Sequence, residues 1–292
     1  MLAIETKGLT KYYGRSRGII ELDLQVREGE IYGFIGPNGA GKSTTIRLLL
    51  NFIYPTSGSG KIFGKDCIKD TLEIKRDIGY IPPEVLYYDD MTVHGLLEYS
   101  ATFYKKDCKK RMHELAEIFE LDIERPIDDL SLGNRKKVAI IQAIQHRPKL
   151  LIMDEPTSGL DPLMQSNFFK VLEEEREAGA SIFFSSHVLS EVQRLCDRVG
   201  IIKEGKLMRV EDIETLSKSR FRKVRIEFKG TIQPLSLQGI QDFKSHDNFV
   251  EFLFGGDIKE LLNHLAKLDI ENLWLQDPPL EEIFMHYYEK EA

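Results

Sequence analysis

The chain has 292 residues and a formal net charge of −7, with residues of both signs spread along it. This length is sufficient for one large α/β domain and a smaller companion, each with a buried core. The charge pattern provides no basic face for nucleic acid, so we expect no nucleic-acid partner. We interpret the basic clusters at 105–106, 109–111 and 135–137 as solvated helix faces.

The cysteines and the apolar segments indicate the compartment. Cys67, Cys108 and Cys196 are far apart and lack metal-ligand spacing, so we expect the reduced thiols of a cytosolic protein. No run approaches the roughly 18 apolar residues of a membrane span, and residues 1–7 lack a secretory apolar segment. Any membrane role is therefore expected to come through a partner.

A glycine-rich segment follows the apolar run 30–35 and precedes the helical pattern 46–50. Glycines allow the positive φ that turns backbone N–H groups toward one anion, and the helix N-terminus adds partial positive charge. Lys42 is predicted to reach the β- and γ-phosphates of a nucleotide, and Ser43 to ligate Mg²⁺. This setting favours a phosphate-binding loop over a chance glycine-rich turn. The loop consists of Gly36, Pro37, Asn38, Gly39, Ala40, Gly41, Lys42, Ser43 and Thr44.

Up to about residue 210, strands and helices alternate in the pattern. The runs 150–153 and 181–184 are short and continuously apolar, as expected for strands covered on both faces, and polar residues follow each of them. In open α/β sheets, ligands bind at these carboxyl ends of the strands. Helical periodicity after residue 82 predicts a helical insertion at about 84–148.

The pattern changes after residue 216, where short alternating segments begin. We therefore predict a nucleotide-binding domain over 1–216 and a small α+β domain over 217–292, with no chemical motif in the latter. The predicted elements of the small domain are strands at 223–228, 248–254 and 271–275, and helices at 258–268 and 279–288.

Two acids, Asp154 and Glu155, follow the apolar run 150–153. Beside a phosphate loop, Asp154 is predicted to orient a magnesium ion, and Glu155 to act as the general base that polarises the attacking water. The alternative is an acid pair that caps the helix starting near Pro162. The neighbouring phosphate loop favours the catalytic interpretation.

Two further features fit a γ-phosphate. Ser131 and Gly133 precede a long helical pattern, so Ser131 is predicted to cap that helix, and the same geometry could make a second anion site. His187 follows the run 181–184 and could connect the γ-phosphate to Glu155. Taken alone, a histidine at a strand end is more often structural or solvated.

Together these motifs resemble those of the ATP-binding subunits of ABC transporters, in the same order, over residues 1 to about 215. The loop 36–44 resembles the Walker A motif, and residues 130–134 resemble the signature. Asp154 and Glu155 stand at the end of a segment similar to the Walker B motif.

Three further positions resemble this family. Residues 158–161 are similar to the D-loop, which ends at Asp161, and His187 is similar to the switch histidine. Tyr13 matches the aromatic residue that stacks on adenine, with Tyr12 as an alternative.

The resemblance implies a P-loop NTPase α/β domain with a helical subdomain, followed by the small α+β domain. It also implies ATP and Mg²⁺ as cofactors. Two such subunits, identical or not, would pair head to tail, so that Ser131 and Gly133 of one cap the ATP on the other and Asp161 links the two sites. A transmembrane permease would convert this closure into transport, holding the subunit at the cytoplasmic face of the membrane.

The chain departs from the family pattern at two places. Pro83 stands where the lid glutamine is expected, and Pro lacks both an N–H and a polar side chain; Glu84 is the candidate substitute as a metal ligand. In the signature, Leu132 replaces the usual glycine and Asn134 the usual glutamine. The bulk of Leu132 predicts a weakened half-site, and with it pairing with a non-identical subunit.

The expected function is ATP hydrolysis that drives an exporter whose permease is a separate chain. The segment 277–284 and the short C-terminal extension resemble those of bacterial drug- and peptide-export subunits. An importer ATPase is the nearest alternative. A nucleotide-dependent sensor with little turnover is another, because the departures at Pro83 and Leu132 could abolish hydrolysis while Lys42 still binds ATP.

Overall fold

The computed structural model describes residues 1–87, 90–104, 106–214, 222–233, 235 and 237–276. The chain divides into two compact units, Met1–Asp212 and Ile213–Ala292. The mixed α/β fold of the first unit confirms the predicted fold class.

An antiparallel sheet forms much of the N-terminal part of the first unit. Alternating strands and helices were expected here, but the strands come in succession, because the left-handed Gly14 (φ +60°) reverses the chain directly into a hairpin. The sheet has the order β2-β1-β5-β6, with β3 also paired to β1. Its strands are β1 (Leu2–Tyr13), β2 (Ser16–Leu22), β3 (Gln25–Arg27), β5 (Ser57–Ile62) and β6 (Lys65–Asp66).

A second sheet, parallel except for its edge strand β11, carries the polar residues of interest. Its order is β11-β10-β4-β9-β8-β7. Strands β4, β8 and β9 are buried along their whole length, which explains their continuous apolar runs. Their carboxyl ends lie side by side at one edge. The strands are β4 (Ile31–Ile35), β7 (Ile78–Ile81), β8 (Leu150–Asp154), β9 (Ser181–Ser186), β10 (Arg198–Lys203) and β11 (Lys206–Asp212).

In the described residues of the first unit, seven α-helices accompany these strands, and side-chain N-caps mark the starts of α5 and α6. The Ser131 hydroxyl accepts from Asn134 N, as predicted, so α5 starts at Leu132. Asp161 caps α6, so the interpretation of Asp154 and Glu155 as its capping pair is wrong. The helices are α1 (Lys42–Leu49), α2 (Thr71–Arg76), α3 (Val93–Ala101), α4 (Lys109–Ile118), α5 (Leu132–Ile144), α6 (Pro162–Glu177) and α7 (Leu189–Leu195).

The described residues of the second unit form a four-stranded sheet in the order β13-β14-β12-β15. Three strands and one helix coincide with predicted elements, whereas β13 was missed because its exposed, mostly polar residues and the left-handed Asp242 break the alternation. The predicted helix 279–288 lies outside the described residues. The elements are β12 (Arg222–Phe228), β13 (Ile240–Ser245), β14 (Phe249–Phe254), β15 (Ile270–Gln276) and α8 (Ile258–Leu265), and Leu261 and Leu265 of α8 complete the apolar core.

Candidate nucleotide site

The glycine-rich segment 36–44 forms a loop between β4 and α1. Gly39 (φ +78°) and Gly41 (φ +115°) adopt left-handed conformations that favour glycine. Gly36 is required for space, because a Cβ there would lie 2.2 Å from the carbonyl oxygen of Ile202. The loop is anchored through Ala40, whose carbonyl accepts from Gly205 N at 2.8 Å. Pro37, Asn38 and Gly39 remain exposed at its tip.

Lys42 is the first residue of α1 and is buried. Its Nζ donates to the carbonyl of Gly36 at 2.6 Å and lies 3.8 Å from Oε1 of Glu155. Burial lowers the pKa of Lys42, while the charges of Glu155 and Asp154 oppose that shift. A cation inside a glycine loop at a helix N-terminus provides the charge and the N–H donors that bind phosphate.

Asp154 ends strand β8 and is buried, and one of its carboxylate oxygens accepts from the Ser185 hydroxyl at 2.5 Å. Among the residues that the structure describes, no cluster of three or more His, Cys, Asp or Glu side chains could hold a metal. Mg²⁺ typically needs only one or two carboxylates beside substrate phosphates and water. The chemistry of Ser43 and Asp154 fits such a shared ion.

Glu84 is exposed and borders a different cavity, lined by Phe52, Leu86 and Tyr99 among others. The structure therefore places Glu84 on the surface after β7. In the part of the chain that the structure describes, no hydrogen bond or ion pair joins its carboxylate to Ser43 or Asp154, and its role as a metal ligand stays a prediction.

Glu155 follows β8 in the left-handed conformation, with φ +49°, which is uncommon for a residue with a side chain. Its N–H donates to the carbonyl of Ser185 at 3.1 Å. Oε1 of Glu155 lies 3.1 Å from Nδ1 of His187, a half-exposed residue just after β9. The structure thus brings Glu155, His187 and Lys42 together, and a carboxylate so placed can accept a proton from water.

Tyr13 lies at the end of β1 and is 44% exposed, and Nζ of Lys11 lies over its ring, 5.4 Å from the centroid. Its ring edge packs beside Gly18, where a Cβ would lie 3.1 Å from Tyr13 and 3.0 Å from the methyl group of Thr44. Tyr13 therefore borders the end of the glycine loop. Tyr12 is also partly exposed, and its N–H is bonded to the Thr56 hydroxyl.

Ser131, Gly133 and Asp161 form a second group, at the N-termini of α5 and α6. A Cβ on Gly133 would lie 3.0 Å from the carbonyl oxygen of Gly159, so the signature segment packs against the loop that ends in Asp161. Ser131 and Asp161 are exposed, and the side chain of Leu132 is 71% exposed. This group presents its polar groups outward, where another molecule can reach them.

Two residues of the basic clusters are not solvated, so that expectation is wrong for both. Lys136 is buried on α5, and Arg111 pairs with the buried Glu175 at 2.7 Å. Lys136 lies four residues before the buried Ile140, and that spacing on one helix face is the signal that could have located it. The three cysteines, expected as reduced thiols, are free and buried.

Comparison with known proteins identifies the family. The chain is 34% identical over 294 residues to the bacitracin transport ATP-binding protein BcrA of Bacillus licheniformis, covering 97% of this chain and 96% of that protein. The chain belongs to the ABC transporter ATP-binding proteins. A family model described as ABC transporter matches residues 19–158 of this ABC subunit.

Other relatives and solved structures agree with this assignment. The linearmycin resistance ATP-binding protein LnrL of Bacillus subtilis (strain 168) is 33% identical to the ABC subunit over 71% of its chain and 68% of LnrL. A structure of an ATP-binding subunit of an ABC transporter matches with a TM-score of 0.70 and 29% identity, covering 75% of this chain and 92% of that one. The chain is accordingly an ATP-binding subunit of an ABC transporter, and an ATPase.

Proposed function

We propose that this ABC subunit hydrolyses Mg-ATP to drive the export of a drug or peptide through a separate transmembrane permease. The observation that carries the proposal is the full-length similarity to a bacitracin transport protein, which includes the second unit as well as the nucleotide-binding unit. Among the described residues, no helix combines the length and apolar content needed to cross a bilayer. The subunit would act at the cytoplasmic face of the membrane, held there by the permease.

Different residues of the first unit have different roles in hydrolysis. The glycine loop and Lys42 would hold the phosphates, while Ser43 and Asp154 would hold Mg²⁺, which supplies neutralisation of the phosphate charge when bound. Glu155 accepts the proton of the attacking water, a role worth about 10²–10⁴ in rate. His187 holds the carboxylate of Glu155 through the contact at 3.1 Å.

A second nucleotide-binding subunit would complete the site. Ser131 and Asp161 lie on the surface, where a partner subunit can reach them, and Gly133 packs against the carbonyl oxygen of Gly159. In a head-to-tail pair, Ser131 and Gly133 of one subunit cap the ATP held by the other. Closing on ATP and opening after hydrolysis then forms a two-state switch.

The permease would bind at a cavity of about 630 Å³ between the loop after β7 and α3. Large apolar side chains at this cavity are exposed, among them Leu86 by 89%, Phe103 by 63% and Phe52 by 51%. Exposed apolar groups gathered in one place are typical of protein interaction sites. A helix of the permease with an apolar face would fill this groove.

The Glu155→Gln variant tests the hydrolytic mechanism. Gln keeps the shape of the side chain but cannot take the proton, so the variant should bind ATP, release no phosphate and accumulate as an ATP-bound dimer. Steady-state phosphate release and size-exclusion chromatography with ATP measure the two effects. Glu260→Gln, at an exposed position on α8, is the matched control and should behave as the parent. Parent-like hydrolysis by Glu155→Gln would refute the assigned base.

The exposed Leu132 supports pairing with a non-identical subunit, because its side chain occupies a position that faces outward from the signature. Mixing the purified chain with co-expressed nucleotide-binding subunits should raise phosphate release above the sum of the separate rates. Full activity of the chain alone would instead indicate a homodimer.

A further inference from the structure

A buried ammonium group joins three segments around the site. Nζ of Lys136, on α5, donates to the carbonyl oxygens of Pro82 at 2.9 Å, Pro83 at 3.4 Å and Glu155 at 3.3 Å. Lys136 is only 3% exposed. These contacts connect the helix capped by Ser131, the loop after β7 and the backbone of the proposed general base.

The number of donors matches the number of acceptors. A protonated lysine has three N–H donors and no acceptor, and three carbonyl oxygens surround Lys136. Pro82 and Pro83 have no backbone N–H, so their carbonyls are the polar groups through which this part of the loop can be held. Burial lowers the pKa of Lys136 to about 8, opposed by the charges of Asp154 and Glu155, which leaves the amine mostly protonated at neutral pH.

A buried ammonium is energetically unfavourable at a position whose side chain contributes only packing. An ammonium loses hydration on burial, and Lys136 donates to backbone carbonyls rather than to a carboxylate. An apolar side chain of similar length would pack on the same face of α5 without that loss. What the ammonium adds is a directional link between α5 and the backbone at Glu155.

We propose that Lys136 is a positioning residue for ATP hydrolysis. It holds the loop 82–83 and the backbone of Glu155 in one arrangement with α5, so that a displacement of the signature segment is transmitted to the general base. The inference rests on the proposed role of Glu155.

Three variants test the proposal in the full-length chain. Lys136→Met keeps the length and removes the donors, Lys136→Gln retains two donors, and Lys136→Arg retains the charge. Lys137→Met, at the neighbouring half-buried lysine, is the matched control. The measurements are the Kd of a fluorescent non-hydrolysable ATP analogue, kcat and KM for phosphate release, and amide hydrogen exchange in 84–87 and 155–158.

Lys136→Met is expected to lower kcat about 10²-fold, because small displacements of a catalytic group have effects of this size, while the analogue binds within about threefold of the parent. Amide exchange in both segments should rise, and Lys136→Arg should recover part of kcat. Lys137→Met should match the parent in every measurement. If Lys136→Met does not fold, Lys136→Gln decides by the same criteria.

A kcat within about twofold of the parent, with unchanged exchange, would overturn the role of Lys136. Loss of analogue binding in parallel with kcat would overturn it too, since that pattern indicates a general disruption of the site. Glu155→Gln in the same assays distinguishes failure of the role of Lys136 from failure of the proposed role of Glu155 as general base. If Glu155→Gln is inactive and Lys136→Met is normal, only the present inference fails; if Glu155→Gln is active, the proposed mechanism fails.

Discussion

The carboxylate of Glu155 contacts the imidazole of His187, with Oε1 lying 3.1 Å from Nδ1. The two residues directly follow neighbouring parallel strands, β8 and β9, and the N–H of Glu155 donates to the carbonyl of Ser185 on β9. Oε1 of Glu155 also lies 3.8 Å from Nζ of Lys42, and the backbone of Glu155 is left-handed. Local strain of this kind is commonly found at functional sites.

Removal of the imidazole should therefore impair turnover rather than binding. We expect His187→Ala to reduce kcat about 10²-fold while the Kd of an ATP analogue changes little, because the phosphate loop and Lys42 remain intact. His246→Ala, at an exposed position in the second unit, is the control. Equal losses in kcat and in analogue affinity would show that His187 acts in binding instead.

Gly36 is predicted to tolerate no side chain. A Cβ would lie 2.2 Å from the carbonyl oxygen of Ile202, so Gly36→Ala must displace the loop. We expect the variant to lose about 1–3 kcal/mol of unfolding free energy and to lose nucleotide binding. Gly29→Ala is the comparison, because Gly29 has a positive φ of +75° but open space around it. Gly29→Ala should bind nucleotide as the parent does. Urea unfolding and analogue titration measure both effects, and equal behaviour of the variants would contradict the steric argument.

The cavity bordered by Leu86 should be required for binding the permease but not for binding ATP. Leu86→Glu places a charge on a side chain that is 89% exposed, so the fold should not change, but an apolar partner would no longer bind. Co-purification with a candidate permease, co-expressed with the chain, should be lost. Leu72→Glu, on α2 and also exposed, is the control and should co-purify. Retention of the partner by Leu86→Glu would place the interface elsewhere.

His146 is expected to make stability dependent on acidic pH. Burial lowers its pKa from 6.5 to about 4, while the bond to the carbonyl of Ile78 and the charge of Asp77 act in the opposite direction and Lys106 adds to the lowering. Its ring stacks on Tyr104, with centroids 3.6 Å apart. Between these two pH values the unfolded chain binds a proton that the folded chain does not. The free energy of unfolding should therefore fall as the pH falls from about 6.5 to about 4.

His146→Gln removes this titration and keeps a donor for the carbonyl of Ile78. Urea unfolding of parent and variant across the same pH range should show a smaller loss of unfolding free energy for the variant. Parallel curves would mean that His146 titrates normally in the folded protein.

Much of the candidate site could be predicted from the sequence because its chemistry depends on local spacing. The glycines before Lys42, and the acids directly after the apolar run 150–153, have the same relation to strand and helix in the structure as in the pattern. Capping is also local, and so Ser131 was predicted at the start of α5. The strand β13 was missed for the converse reason, since its polar residues depend on pairing with β14.

The sequence by itself determined the phosphate loop, the acids after β8 and the order of the motifs, because each depends on neighbours within a few residues. Only the tertiary structure decided that Lys136, placed among basic residues expected to be solvated, is buried against Pro82 and Glu155, which lie 54 and 19 residues away along the chain. It also decided that Glu155 faces His187. The physical reason is that parallel strands bring distant segments to one sheet edge, and no periodicity along the chain specifies which carbonyl meets which side chain there.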